Sequence, residues 1–160
     1  TPGGFVYVSR GLLPYLSSEA ELAAVLGHEI GHITARHAVQ RQSQSAVAGV
    51  LGAAAAIFTG QSAVGDLAGI AGQAVISGYG REQELESDRL GAEYLARTGY
   101  DPQAMIRVVA ALKEQEVFER DRARAEGRQP RIYHGVFASH PDNDTRLQEA
   151  VAAAAKVEGR

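Results

Sequence analysis

A chain of 160 residues, 45% hydrophobic and 22% charged, has the make-up of one folded domain that buries its own core without staples. A formal net charge of −3 gives no basis for binding nucleic acid, and the absence of cysteine excludes disulfides and thiolate metal sites. Any metal must therefore be held by His, Asp or Glu. The chain opens Thr1-Pro-Gly-Gly, with neither an initiating Met nor a signal peptide. The expectation is a single domain over residues 1–160, taken from a longer protein.

Residues 5 to 9, Phe-Val-Tyr-Val-Ser, alternate and are rich in β-formers, which predicts a strand. Ser18 and Glu21 fit a capping box that opens a helix. Leu22, Val25, Leu26, Ile30 and Ile33 then recur at helical spacing, and the helix is expected to reach about Gln42. The stretch 43–80 differs in character: its 38 residues hold 8 Gly, 10 Ala and one charge, Asp66. Its apolar core, Ala46 to Phe58, has 13 residues, whereas a membrane span needs about 20. Two short helices are expected there, as a surface hairpin or as a cap over a site. Peripheral membrane contact through residues 46–76 is a further reading. Arg81 to Thr98 is helical again and stops at Gly99. Asp101-Pro102 starts the next helix, through Met105, Val108, Val109 and Leu112 to about Arg124. Residues 118–131 read as a solvated helix end and linker, and Ile132 to His140 as a loop or short strand. Asp142 to Asp144 cap a last helix, Leu147 to Val157. The expected fold class is α+β: helix-dominated, with a small N-terminal sheet.

Within the first helix stands His28-Glu29-Ile-Gly-His32. Residues four apart differ by about 40° in direction, so both imidazoles leave one helix face and can grip one ion. Glu29 is turned about 100° from His28, beside that ion and not on it. Zinc hydrolysis needs this set: two neutral imidazoles and a nearby base for the water's proton. A catalytic zinc usually takes a third protein ligand. Glu84 offers one, and Asp88, four residues on, can accept the Nδ1–H of His28. The competing reading is a solvated acidic face neighboured by Arg81 and Arg89. Two imidazoles and one carboxylate leave the site near +1, which lowers a bound water's pKa toward about 7.

Other polar residues are less defined. His37 lies about 140° around the same helix from His32, so a structural or surface role is expected. Glu82 and Glu86 are expected to be solvated, and His134 is a loop histidine. His140 precedes Pro141 and so sits in extended backbone. Arg146 lies near a helix N-terminus, where a cation is mildly disfavoured, so a substrate carbonyl or Glu29 could recruit it.

The segments GGFVYVSRGLL, EAELAAVLGHEIGHITARH and ELESDRLGAEYLARTGYDP, followed by Ser-His-Pro and Arg146, resemble the HtpX/BepA/Oma-like zinc metalloendopeptidases. These form metallopeptidase family 48, of the gluzincin group. The likeness runs from Gly3 to about Arg146, and the two motifs are specific as a pair. It implies a zincin-like fold with one zinc per chain, His28, His32 and Glu84 as ligands and Glu29 as general base. It also implies Asp88 as the partner of a ligating histidine. In BepA-like relatives the His of the His-Pro element can serve as a reversible fourth ligand, which implies the same for His140. Arg146 or His140 would assist the oxyanion. Gluzincins typically bind substrate as an added strand, which would bring Tyr7 and Ser9 into the cleft. The likeness is to the soluble periplasmic branch, and the implied substrates are unfolded or misassembled envelope proteins. The implied location is the bacterial periplasm or the periplasmic side of a membrane. The rival reading is a zinc-stabilised, chaperone-like binding module with little peptidase activity.

Overall fold

The computed structural model describes residues 4–60, 80–129 and 143–158. Within them a 3-10 turn, Leu13–Tyr15, precedes five helices: α1 (Glu19–Thr34), α2 (His37–Thr59), α3 (Arg81–Thr98), α4 (Gln103–Ala125) and α5 (Asn143–Glu158). The start of α1 follows capping chemistry. The Ser18 hydroxyl accepts the Glu21 amide at 3.2 Å. The Glu21 carboxylate accepts the Ser17 amide at 2.7 Å, one residue further back than a strict capping box. Gly99 closes α3 in the left-handed conformation (φ 82°), and the Asp101 carboxylate accepts the Gln103 amide at 2.9 Å where α4 begins.

Two contacts decide where the site lies. α1 packs along α3, and α5 lies across α3 and α4. Leu12, Val25, Leu95, Met105, Val108 and Leu112 form the apolar core at the α1, α3 and α4 junction. Along the α1–α3 crossing the residues are small. A Cβ built on Gly31 would stand 3.0 Å from Ser87 Cα, and one built on Gly27 would stand 3.2 Å from Gly91 Cα. The backbones therefore touch almost directly, closer than larger side chains would permit. That approach brings the histidines of α1 within reach of the carboxylates of α3.

Three expectations change. The strand at residues 5–9 does not form, and there is no β-strand among the described residues. Tyr7 is 77% exposed and Phe5 64%, so among the described residues the alternation does not correspond to a buried face. The described part is helical, not α+β. Second, the first helix does not continue to Gln42. It stops at Thr34, and Arg36 adopts a left-handed conformation (φ 58°, ψ 33°) before α2 sets off in a new direction. The Thr34 hydroxyl bonds the Ile30 and Gly31 carbonyls at 3.0 and 3.1 Å, competing with onward helical pairing. Third, Ala46–Phe58 belongs to the single helix α2 and is not the start of a separate short helix. The rest of the expected hairpin, residues 61–79, lies outside the described residues. No helix among those described is long and apolar enough to cross a membrane.

Candidate metal centre

Where α1 faces α3, three side chains converge. His28 Nε2 and His32 Nε2 are 3.0 Å apart. Glu84 Oε2 is 3.5 Å from His28 Nε2, and Glu84 Oε1 is 3.3 Å from His32 Nε2. All three residues are buried. Neighbouring ligand atoms of a tetrahedral zinc with bonds of 2.0–2.1 Å lie about 3.3 Å apart, so the donor set has the dimensions such an ion needs. Among the described residues these three form the group able to hold a metal.

The outward nitrogens of the two imidazoles are already engaged, which turns both Nε2 atoms toward one point. His28 Nδ1–H donates to Asp88 Oδ1 at 2.7 Å. Asp88 is in turn gripped by Arg146 of α5: Nε to Oδ2 at 2.8 Å and Nη2 to Oδ1 at 2.8 Å. The arginine also sets Nη1 3.4 Å from Glu84 Oε2. Arg146 and Asp88 are 2% and 1% exposed. Burial alone would raise the Asp88 carboxyl pKa, but hydrogen bonds from Arg146 and His28, with their charges, hold it below its ordinary value. Burial would lower the Arg146 pKa, but the Asp88 carboxylate, aided by the charges of Glu84 and Glu29, raises it.

The sequence placed His28, His32, Glu84 and Asp88 on helices at i, i+4 spacing, and the structure brings all four together. Glu29 is half-buried on α1, immediately after the first histidine. Arg146, which the sequence left open to recruitment by a substrate carbonyl or Glu29, is bound edge-on to Asp88 and also feels the charge of Glu29. Tyr7 and Ser9 are exposed in an irregular segment and form no strand edge. His134 and His140 lie outside the described residues. His37, expected in a structural or surface role, packs inside. Its ring is fully buried and its Nδ1 sits 2.8 Å from His32 Nδ1. His37 is not part of the three-residue group, and it reaches His32 because the turn at Arg36 breaks the helix expected to carry both.

The profile of peptidase family M48 matches residues 1–154. The chain belongs to peptidase family M48. The likeness drawn from the paired motifs is thus borne out, and membership places the chain in a class of metal-dependent hydrolases. Among M48 relatives, the chain is similar to the beta-barrel assembly-enhancing protease of Escherichia coli (strain K12): 36% identity over 159 residues, covering 92% of this chain and 30% of that protein. The protein of the same name from Yersinia pestis is 35% identical over 160 residues, with the same coverage. The mitochondrial metalloendopeptidase OMA1 of Schizosaccharomyces pombe is 29% identical over 154 residues, covering 92% of this chain and 40% of that protein. The chain thus spans about a third of the length of these M48 relatives.

Proposed function

We propose that this chain is the catalytic domain of a zinc-dependent metalloendopeptidase that acts in envelope protein quality control. The observation that carries this reading is the convergence of two imidazole nitrogens and a carboxylate within 3.0–3.5 Å, with both histidine Nδ1 atoms already hydrogen-bonded elsewhere. One zinc would be held by His28, His32 and Glu84. Zinc, when bound, supplies the Lewis acidity that brings a water's pKa toward about 7. Glu29 takes the attacking water's proton and returns it to the leaving amine. Asp88 fixes the ring orientation and tautomer of His28, and Arg146 keeps Asp88 ionised and in place. His140 stands as a candidate fourth ligand, Arg146 or His140 as a candidate aid to the oxyanion, and Tyr7 and Ser9 as candidate substrate contacts.

Substrates are polypeptides, and by analogy with the assembly-enhancing proteases they are unfolded or misassembled envelope proteins in the bacterial periplasm. Metal analysis with casein digestion tests the proposal. The purified chain should carry one zinc, and a chelator should abolish digestion. Glu29→Gln keeps the shape but not the basicity. It should retain zinc and fold while losing about 10²–10⁴-fold in rate. Stoichiometric zinc with no digestion by wild type would favour the binding-module reading instead.

A further inference from the structure

We infer that His37, backed by Glu86, is the positioning residue of His32. It accepts the Nδ1–H of His32 and so leaves the His32 Nε2 lone pair facing the metal. The inference rests on the proposed metal-binding role of His28, His32 and Glu84, and it assigns two residues that take no part in that set.

The donor and acceptor needs of the three side chains fix where each proton sits. His32 Nδ1 and His37 Nδ1 are 2.8 Å apart, so one is N–H and the other a lone pair. A neutral imidazole carries one N–H. If His37 were the donor, the proton of His32 would sit on Nε2, aimed at His28 Nε2 3.0 Å away, and no lone pair would remain for an ion. The opposite direction frees Nε2 and puts the proton of His37 on its own Nε2. That nitrogen is 3.1 Å from Glu86 Oε2. An ionised carboxylate only accepts hydrogen bonds, so Glu86 demands the N–H there. The whole chain then has one consistent direction, from His32 to His37 to Glu86. Glu86, a side chain 47% exposed on α3, selects which nitrogen of a buried imidazole two residues away is bare.

The local fold makes this relay possible. Left-handed Arg36 reverses the chain so that His37, the first residue of α2, turns back over His32. The Ser87 hydroxyl lies 3.4 Å from His37 Nδ1 and lines the same pocket. A buried imidazole is costly unless its nitrogens are partnered, and here both are. The two metal-facing histidines are thus held differently: His28 by a carboxylate locked to a buried arginine, His32 by an imidazole that leads to the surface.

Zinc affinity, measured on the full chain by competition with a chromophoric chelator, tests the relay. Glu86→Lys replaces an acceptor with a donor-only group, and Glu82→Lys, exposed on the same helix, makes the same charge change off the relay. Glu86→Lys should weaken zinc binding about 10-fold or more, while the thermal midpoint of the metal-free protein stays unchanged. Glu82→Lys should shift it no more than about 2-fold. His37→Phe should weaken it about 10–100-fold, and adding Glu86→Lys to it should change affinity by no more than about 2-fold, because the relay is already cut. Should His37→Phe fail to fold, ¹⁵N ring shifts of zinc-loaded wild type decide: His37 should be protonated at Nε2 alone. Equal effects of Glu86→Lys and Glu82→Lys, or a proton on His37 Nδ1, would overturn the relay and leave the proposed function intact. A wild-type chain that takes up no zinc would overturn both.

Discussion

Arg146→Met removes one half of a buried ion pair and nearly preserves its volume. Asp88 is then left 1% exposed, with the His28 Nδ1–H at 2.7 Å as its remaining hydrogen-bond donor among those described. Breaking a buried pair on one side costs about 3–5 kcal/mol, and the surviving His28 contact favours the lower end, about 3 kcal/mol. In a domain of this size each kcal/mol moves the thermal midpoint by about 2–4 °C, so a fall of about 6–12 °C is expected. Thermal unfolding of the metal-free protein, followed by circular dichroism, measures it. The pH dependence has a definite sign. In wild type the Asp88 pKa lies below its ordinary value of 3.8, so its stabilisation is complete above that value and is lost as pH falls through the lowered one. Without Arg146, burial dominates and raises the Asp88 pKa. Asp88 then takes up a proton sooner, and the gap to wild type narrows in acid. Asp88→Leu combined with Arg146→Met should melt higher than Arg146→Met alone, because no charge is stranded. A single variant within about 2 °C of wild type, or a double variant less stable than the single, would refute the reasoning.

Glu84→Ala should lose stoichiometric zinc, and Asp88→Asn should keep it with an affinity about 10–100-fold lower, both read by metal analysis and chelator competition. Gly31→Val would press a branched side chain against Ser87, whose Cα is 3.0 Å from the first added atom. It should cost about 1–3 kcal/mol by thermal melting and weaken zinc binding together, since α1 and α3 must part to admit it. His140→Ala should raise basal casein digestion if His140 is the proposed fourth ligand; unchanged digestion would remove it from that role.

The candidate metal-binding set was legible because its geometry is local. His28 with His32 and Glu84 with Asp88 each need only one turn of helix to share a face, whatever the rest of the chain does. That the two faces meet depended on Gly27, Gly31, Ser87 and Gly91, whose smallness reads in a sequence as weak helix-forming character and not as a contact. His37 was misplaced because Ala35-Arg36 carries neither glycine nor proline, so the periodicity ran on unbroken through a left-handed residue. Arg146 was noticed for its awkward position at a helix start, yet its partner lies 58 residues back on another helix. The strand at residues 5–9 failed for a different reason: alternation describes a pleated face with one side covered, and among the described residues Phe5, Tyr7 and Val8 are all exposed.

The α1–α3 seam has a consequence for how such a domain can diversify. The chain leaves that seam at Arg36 and rejoins it at Gly80, while the close contacts of Gly27 with Gly91 and of Gly31 with Ser87 are made between α1 and α3 themselves. Loop-closure entropy grows only logarithmically, so doubling the excursion costs about 0.6 kcal/mol. A new element grafted into it could alter what approaches the metal centre while the backbones that set the ligand distances stay in contact. On the proposed function, the seam would separate two design problems, holding an ion and choosing a substrate.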